Sequence, residues 1–490
     1  MNKKLVLFLA CCAISLNIFA QSIKAPLVSA IKENDLKTDL SQLSDDHFLG
    51  REAGTINELK SAVWFANKMR EVGMKPAGDD GTYFQFFDLY RRQIMPVSWV
   101  KIGDKTFELE KDILIPNVTP GKIDAPIMFL GNVSPKELGN IDVKGKVVAI
   151  KANGKDIAHN ISLFEKRYPG FVANKYYNIL SDKGAIALLI IADDLVENNW
   201  NMLIPNFKRG MTGIKGLRDK IEEGMPVIWF HQKEEEFIRN TKENLKTDIR
   251  IQLYKYPSVN VIGKIDGTDA KLKNEYVLFS GHHDYLGMRE TIGTDSIDNG
   301  ADDNGSAEVM LLAVGRAFKQ QPGKRSALFV SHGAEEMSML GSRWYAAHPT
   351  VPQKDIVAVL NADLIAGNAI DSAGLLGAFG PHKTSDELVA AALQANDEGT
   401  KFKINKEWDK PEHPEYFFFR SDHAPYARVG IPVLFYTSLL TPYYHTPLDD
   451  MEHVSIPKLH KMVEWMYRTG WKVANMPERP KYLPNVKFER

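Results

Sequence analysis

Four short apolar runs constrain this chain most: "YVLFSG" (276–281), "SALFVSHG" (326–333), "IVAVLNADLI" (356–365) and "IPVLFYT" (431–437). Each has the length of a strand and almost no polar alternation, so neither face is meant for water. Helix-like stretches fall between or near them, "SAEVMLLAVGRAF", "SMLGSRWYAAH" and "HKTSDELVAAALQAND". Apolar strands alternating with helices predict an α/β fold. Its sheet should be mostly parallel and doubly wound, with helices on both faces.

Before this region the texture differs. "GTINELKSAVWFANKMREVGMKPAG" reads as a helix: Thr55 and Glu58 fit a capping box, Leu59, Val63, Ala66, Met69 and Val72 form the apolar stripe, and Gly73 and Pro76 stop it. From about Pro116 short β-like runs dominate, "APIMFLG", "KGKVVAIKA", "AIALLIIAD" and "MPVIWFH". One helical stretch lies around Ala173 to Lys183, and "LVENNWNMLIPNFKRGMTGIKG" reads as loop. The pattern changes again near "YKYPSVNVIGKI". A small β-rich domain is therefore expected over 116–255, inserted into a larger one made of 21–115 and 256–490.

Residues 1–20 stand apart. Lys3 and Lys4 precede an apolar run, Leu5 to Phe19, that ends at Ala20, the pattern of a signal peptide. The run is short for a membrane span. Its removal takes away Cys11 and Cys12, the only cysteines, so the exported chain, periplasmic or secreted, would hold no disulfide. The longest other apolar run, "AIALLIIA", is strand-sized, so no membrane span is expected in the mature chain. Lys plus Arg (61) nearly balance Asp plus Glu (62), without the basic excess of a nucleic-acid binder.

Polar residues cluster where the strands end. His282, His283 and Asp284 follow the first, Glu335 and Glu336 the second, Asp363 the third, and His445 follows the last after a short loop. Asp302 and Asp303 sit in "DNGADDNGS" before a helix. In open α/β sheets, sites form beyond the carboxyl ends of strands. Carboxylates gathered there would repel unless a cation joined them. Imidazoles with several carboxylates suit zinc best, and the set exceeds what one ion uses, so a two-metal hydrolytic site is expected, with a water between the ions. Adjacent residues leaving a strand point differently, so one of Glu335 and Glu336 would ligate and the other act as general base.

The motifs "SGHHDYLG", "GADDNGSA", "GAEEMSMLGS", "LNADLIAG", "FFRSDHAPYARVGIP" and "YYHTPLDD" resemble, in order, those of the secreted co-catalytic zinc aminopeptidases, relatives of bacterial leucyl aminopeptidase and glutamate carboxypeptidase. "FLGREAGT" and "GMKPAGDDGTYFQ" look like that family's N-terminal part, and the insertion looks like a protease-associated domain. The resemblance implies two zinc ions per chain and peptide substrates. It implies that His282 and Asp363 bind one zinc, that Glu336 and His445 bind the other, that Asp303 bridges them and that Glu335 is the general base. Asp284 would orient His282, and Tyr444 would donate a hydrogen bond to the developing oxyanion, with Tyr443 as competitor.

Other polar groups carry blander expectations. His283 reads as a loop residue, His332 as a satisfied strand-end histidine and Asp449 as structural. Asp302 competes with Asp303 as bridge, and Asp422 and His423 could hold the loop that carries His445. Phe417, Phe418, Phe419, Trp408 and Tyr416 read as pocket lining or core, and "KEEEF" (233–237) as a solvated helix face. The leading activity is an exported aminopeptidase. Alternatives are a glutaminyl-cyclase-like enzyme with one zinc, a carboxypeptidase in which Arg420 or Arg343 would meet the terminal carboxylate, and a binding protein that has lost catalysis. G-x-S-x-G and H-E-x-x-H are both absent, which argues against the serine hydrolases and zincins they mark.

Overall fold

The computed structural model describes residues 24–157 and 159–488. The expected signal peptide, with both cysteines, lies outside them. The four apolar runs form the strands Val433–Thr437, Ile356–Ala362, Tyr276–His282 and Ser326–His332, adjacent in that order and all parallel. Their side chains alternate between two cores. Val277, Phe279, Ala327 and Phe329 pack with helices Ile56–Val72, Ser306–Gln320 and Ile456–Asn475. Leu278, Leu328 and Val330 pack with Tyr345 and Tyr426, from helices Leu340–Ala347 and His423–Arg428. Both faces are covered, which is why the runs are apolar throughout.

Within this sheet, parallel pairing is confined to these four strands and one edge pair. Beyond Ser326–His332 the strands Ile251–Ile265, Phe84–Ile94 and Met211–Ile214 follow antiparallel, and at the other side Ser372–Leu376 is antiparallel to Val433–Thr437. Only the segments joined through crossover helices are forced to run the same way.

A second sheet runs in the order Lys105–Phe107, Trp99–Ile102, Asn244–Ile249, Gly121–Gly131, Val147–Lys151, Ala187–Ile191, Val227–Phe230, Ile113–Leu114. Helix Phe164–Asp182 covers one face through Tyr168, Val172 and Tyr176. This sheet recruits strands from 99–114, upstream of the expected start at 116. Strand Ile251–Ile265 also continues across the expected end at 255. The long antiparallel ribbon it makes with Phe84–Ile94 leads from one sheet to the other, so the change in sequence texture does not coincide with the change of sheet.

Three local readings also differ. The segment expected as loop folds into helices Asp194–Asn198 and Trp200–Arg209 and an edge strand of the first sheet, Met211–Ile214. Pro205 and the asparagines hide the helix, and the strand is set by its neighbour, not by propensity. Glu234 of "KEEEF" is buried and paired with Lys105. Thr55 does cap its helix, accepting from the N–H groups of Asn57 and Glu58, and Gly73 ends it in the left-handed conformation. Glu58, however, does not close the capping box. It is fully buried and accepts instead from the Gly54 N–H (2.6 Å) and the Ser258 hydroxyl.

Helix Ile456–Asn475 lies close against the sheet at Gly470, where an added Cβ would stand 2.2 Å from Phe279 Cζ. Overpacking of this kind costs about 1–3 kcal/mol, more than the ~1 kcal/mol alanine gains over glycine in a helix. Gly470→Ala is therefore expected to lower the urea midpoint of unfolding, read by circular dichroism.

Candidate metal centre

The carboxyl ends of the parallel strands and the loops that follow them bring the expected set together. His282, Asp303 and Asp363 form one group, and Asp303, Glu336 and His445 a second; within each, the candidate ligand atoms lie within 4.8 Å of one another. Asp303 belongs to both. Its Oδ1 lies 3.3 Å from His282 Nε2 and its Oδ2 3.3 Å from His445 Nε2. Asp363 Oδ2 is 3.6 Å from His282 Nε2, and Glu336 Oε2 is 3.2 Å from His445 Nε2. Glu335 Oε2 stands 4.0 Å from His282 Nε2 and is the more open of the two glutamates, its side chain 12% exposed against 4% for Glu336. The adjacent pair thus diverges, and Ala334, with φ 55°, turns the chain just before it.

The donor set fits divalent metal. His282 Nε2, Glu336 Oε1 and Asp363 Oδ1 are buried without a hydrogen-bond partner, the condition that coordination would relieve. Asp284, Asp302, Asp303, Asp363, Asp422 and Asp449 are all buried close by, with Arg51 as the buried guanidinium among them. Burial lowers His282, yet Asp363 and Asp303 outweigh it and hold the imidazole well above its ordinary value. Burial pushes Asp303 up, but hydrogen bonding to His282 and His445 overcomes it and holds the carboxyl low. Burial, with the charges of Asp422, Glu336 and Asp363, pushes Glu335 well up despite His282.

The carboxylate of Asp284 does something other than orient His282. His282 Nδ1 meets the Asp284 backbone carbonyl at 3.1 Å, whereas the carboxylate is 3.8 Å away. That carboxylate instead accepts the backbone N–H groups of Glu335 (2.9 Å) and Glu336 (3.3 Å). The reason is register: His282 pairs with His332 across parallel strands, so the two strand exits lie side by side.

The competing bridge is turned away. Asp302 Oδ1 accepts from the Ala366 N–H at 2.7 Å, on the far side of the loop. Asp449 accepts from the backbone N–H groups of Asp302 (2.8 Å) and Asp303 (2.9 Å), a structural task. His283 is fully buried with Nδ1 on the Ser331 hydroxyl (2.7 Å), and His332 lies between Asn260 and the Tyr426 hydroxyl. Neither joins the ligand groups. Phe417, Phe418 and Phe419 are buried in the second core. Tyr444 stacks on His445 with ring centroids 3.8 Å apart, while Tyr443 lies tilted against His453.

Arg51 was not singled out in the sequence. Buried, it donates to the backbone carbonyls of His283 (2.7 Å), Leu43 (3.0 Å), Asn299 (2.6 Å) and Gly300 (3.0 Å), tying together the loops that carry His282 and Asp303. The available signal was the charge inside "FLGREAGT".

Residues 260–469, which contain every ligand candidate and Glu335, match peptidase family M28. Over these residues the chain is similar to the M28 peptidases. Over 470 residues it is 24% identical to "Aminopeptidase YwaD" of Bacillus subtilis (strain 168), spanning 91% of this chain and 85% of that one. Among solved structures it resembles the aminopeptidase from Aneurinibacillus sp. strain AM-1 (TM-score 0.59, 16% identity, 94% of this chain and 97% of that one). It also resembles BSAP, a zinc aminopeptidase from Bacillus subtilis (TM-score 0.57, 18% identity, 93% and 99%). At these identities the structural likeness speaks for the fold.

Behind the candidate metal centre, burial and the Asp284 charge raise Glu58 to about 8 from an ordinary 4.5, against its hydrogen bonds from Ser258 and Gly54. A carboxyl raised in the folded state adds stability that is complete below the unfolded value and is lost as pH climbs through the folded one. Glu58→Gln, which cannot ionise, is expected to flatten the fall in urea midpoint between pH 5 and pH 8.

Proposed function

We propose that this chain is a zinc-dependent aminopeptidase that removes N-terminal residues from peptides, with Glu335 as the general base. The observation that carries the reading is Asp303, whose two oxygens face two separate ligand groups. His282, Asp303 and Asp363 would hold one ion, and Asp303, Glu336 and His445 the other. Zinc in that position supplies Lewis acidity toward the scissile carbonyl and toward water. Glu335, which lies within ligand distance of His282 and Glu336 but is the more open of the two glutamates, takes the proton of the attacking water and delivers it to the leaving amine. Asp284 fixes the peptide that aims Glu335 and Glu336. Tyr444 donates its hydroxyl proton to the oxyanion as it forms.

An amino-terminal preference is favoured over a carboxy-terminal one by the state of Arg420. Its guanidinium already donates to Glu415 and, at 2.9 Å, to the Tyr444 hydroxyl oxygen. A cation so engaged is poorly placed to receive a substrate carboxylate. Arg343 is spent partly on the Ser338 carbonyl. The single-zinc cyclase reading gives no use for a carboxylate shared between two ligand groups. The names of the relatives, aminopeptidases in each case, agree.

We further read 1–20 as an export signal and roughly 95–250 as the inserted protease-associated unit. No helix among the described residues is long and apolar enough to cross a membrane. Export predicts a mature protein beginning at Gln21, which N-terminal sequencing of secreted or periplasmic material checks.

A panel of aminoacyl and carboxyl-terminal reporter peptides tests the activity. Aminoacyl substrates should be cleaved, a chelator should stop the reaction and added zinc should restore it, with two metals per chain. Glu335→Gln should lower kcat by about 10²–10⁴ with metal content unchanged. Near-full activity in that variant would refute the mechanism, and cleavage of carboxyl-terminal reporters alone would refute the polarity.

A further inference from the structure

The inserted unit reaches the metal centre through one continuous polar chain. Ser162, just before helix Phe164–Asp182, donates its backbone N–H and its hydroxyl (3.0 Å) to the Glu415 carboxylate. Arg167, on that helix, donates to the same carboxylate at 3.3 Å. Glu415, on the loop before Phe417–Phe419, also receives Arg420, whose other terminal nitrogen donates to the Tyr444 hydroxyl oxygen. Tyr444 in turn stacks on His445. The inner members are sealed: the Glu415 side chain is 4% exposed and that of Arg420 14%.

The direction of each hydrogen bond matters. A guanidinium has no acceptor, so Tyr444 can only accept from Arg420, and its own proton stays free for another partner. Arg420 also lies over the rings of Phe417 (5.2 Å) and Tyr444 (5.6 Å), which limits it to one arrangement. Glu415 fixes Arg420, and two groups from the inserted unit fix Glu415.

We propose that Glu415 and Arg420 are positioning residues through which the docked inserted unit holds the Tyr444 hydroxyl toward the metal centre, so that docking sets turnover. The inference rests on the reading of Tyr444 as the oxyanion donor. The inserted unit then does more than wall the cleft: it completes the site from outside the M28 domain.

A second contact crosses the same interface without touching this chain. Lys166 pairs with Glu290 at 3.1 Å. It provides the control for docking in general.

The test is a double-mutant cycle on the full chain, with kcat, KM, metal content and melting temperature measured for each variant. Tyr444→Phe should lower kcat about 10²-fold, the scale of losing one oxyanion donor. Glu415→Gln and Arg167→Met should each lower kcat, the former roughly 10- to 100-fold as misplacement does, with KM within about twofold and two metals retained. Adding Glu415→Gln to Tyr444→Phe should cost nothing further, because both act through one hydroxyl. Arg420→Lys, which keeps the charge but cannot span both partners, should behave as Glu415→Gln does. Lys166→Met should leave kcat within about twofold.

Unchanged kcat in Glu415→Gln, losses that multiply in the double variant, or an equal loss in Lys166→Met would each overturn the proposal. If Tyr444→Phe alone were silent, the oxyanion reading beneath it would fail first, and the two failures are thereby told apart. Should Glu415→Gln not fold, the partly exposed Arg167→Met and the Arg420→Lys variant carry the same comparison.

Discussion

Asp303 is the point on which the arrangement turns. One carboxylate, its backbone N–H held by Asp449, offers an oxygen to each of two histidines that come from distant parts of the chain. Around it are more buried acids than the nearby cations can neutralise. Two like charges at 4 Å cost about 4 kcal/mol at an effective dielectric of 20, and a whole domain is stable by roughly 5–15 kcal/mol. A few such repulsions left uncompensated would cancel the folding free energy. Protonation relieves some of them, as the raised carboxyls of Asp302, at about 7, and Asp422, also about 7, indicate. Divalent cations held by the two ligand groups would relieve the rest. The metal reading is therefore a demand of the electrostatics as well as of the ligand types.

What keeps such a cluster in place is the rigidity of its surroundings. Four parallel strands, apolar on both faces, end at one edge, and each exit is tied to its neighbour. Asp284 binds the peptide groups of Glu335 and Glu336, Asp449 those of Asp302 and Asp303, and Arg51 the carbonyls of His283, Asn299 and Gly300. These are charge-assisted bonds to backbone, stronger than neutral ones, and they set the directions of the ligands without using the ligands themselves.

The clustering of the candidate ligands and the parallel core were legible in the sequence because both depend on local pattern. An apolar run followed by His or a carboxylate states a strand and its functional end at once. Arg51, the Asp284 carboxylate and Glu58 were not legible, because what they do depends on which loops lie beside them. Glu58 shows the limit well: its spacing from Thr55 suits a capping box, yet the fold sends its carboxylate inward to Ser258, far along the chain. The second sheet was misjudged at its edges for the same reason. Strands such as Trp99–Ile102 and Met211–Ile214 are short, and their sheet is chosen by the partner they meet, not by their own residues.

The chain from Ser162 to Tyr444 raises a question of energetics. Replacing a buried ion pair by apolar residues of similar volume is often neutral or even stabilising. Glu415, Arg420 and Arg167 are thus hard to explain as glue between the units, since a patch of leucines would serve at least as well. What leucines cannot do is point a hydroxyl. A planar guanidinium fixed by a carboxylate defines both the place and the direction of the bond that Tyr444 accepts, and so where its proton is free to go. The buried charges are explained if orientation at the candidate metal centre, rather than adhesion, is what this contact between helix Phe164–Asp182 and the loop carrying Arg420 supplies.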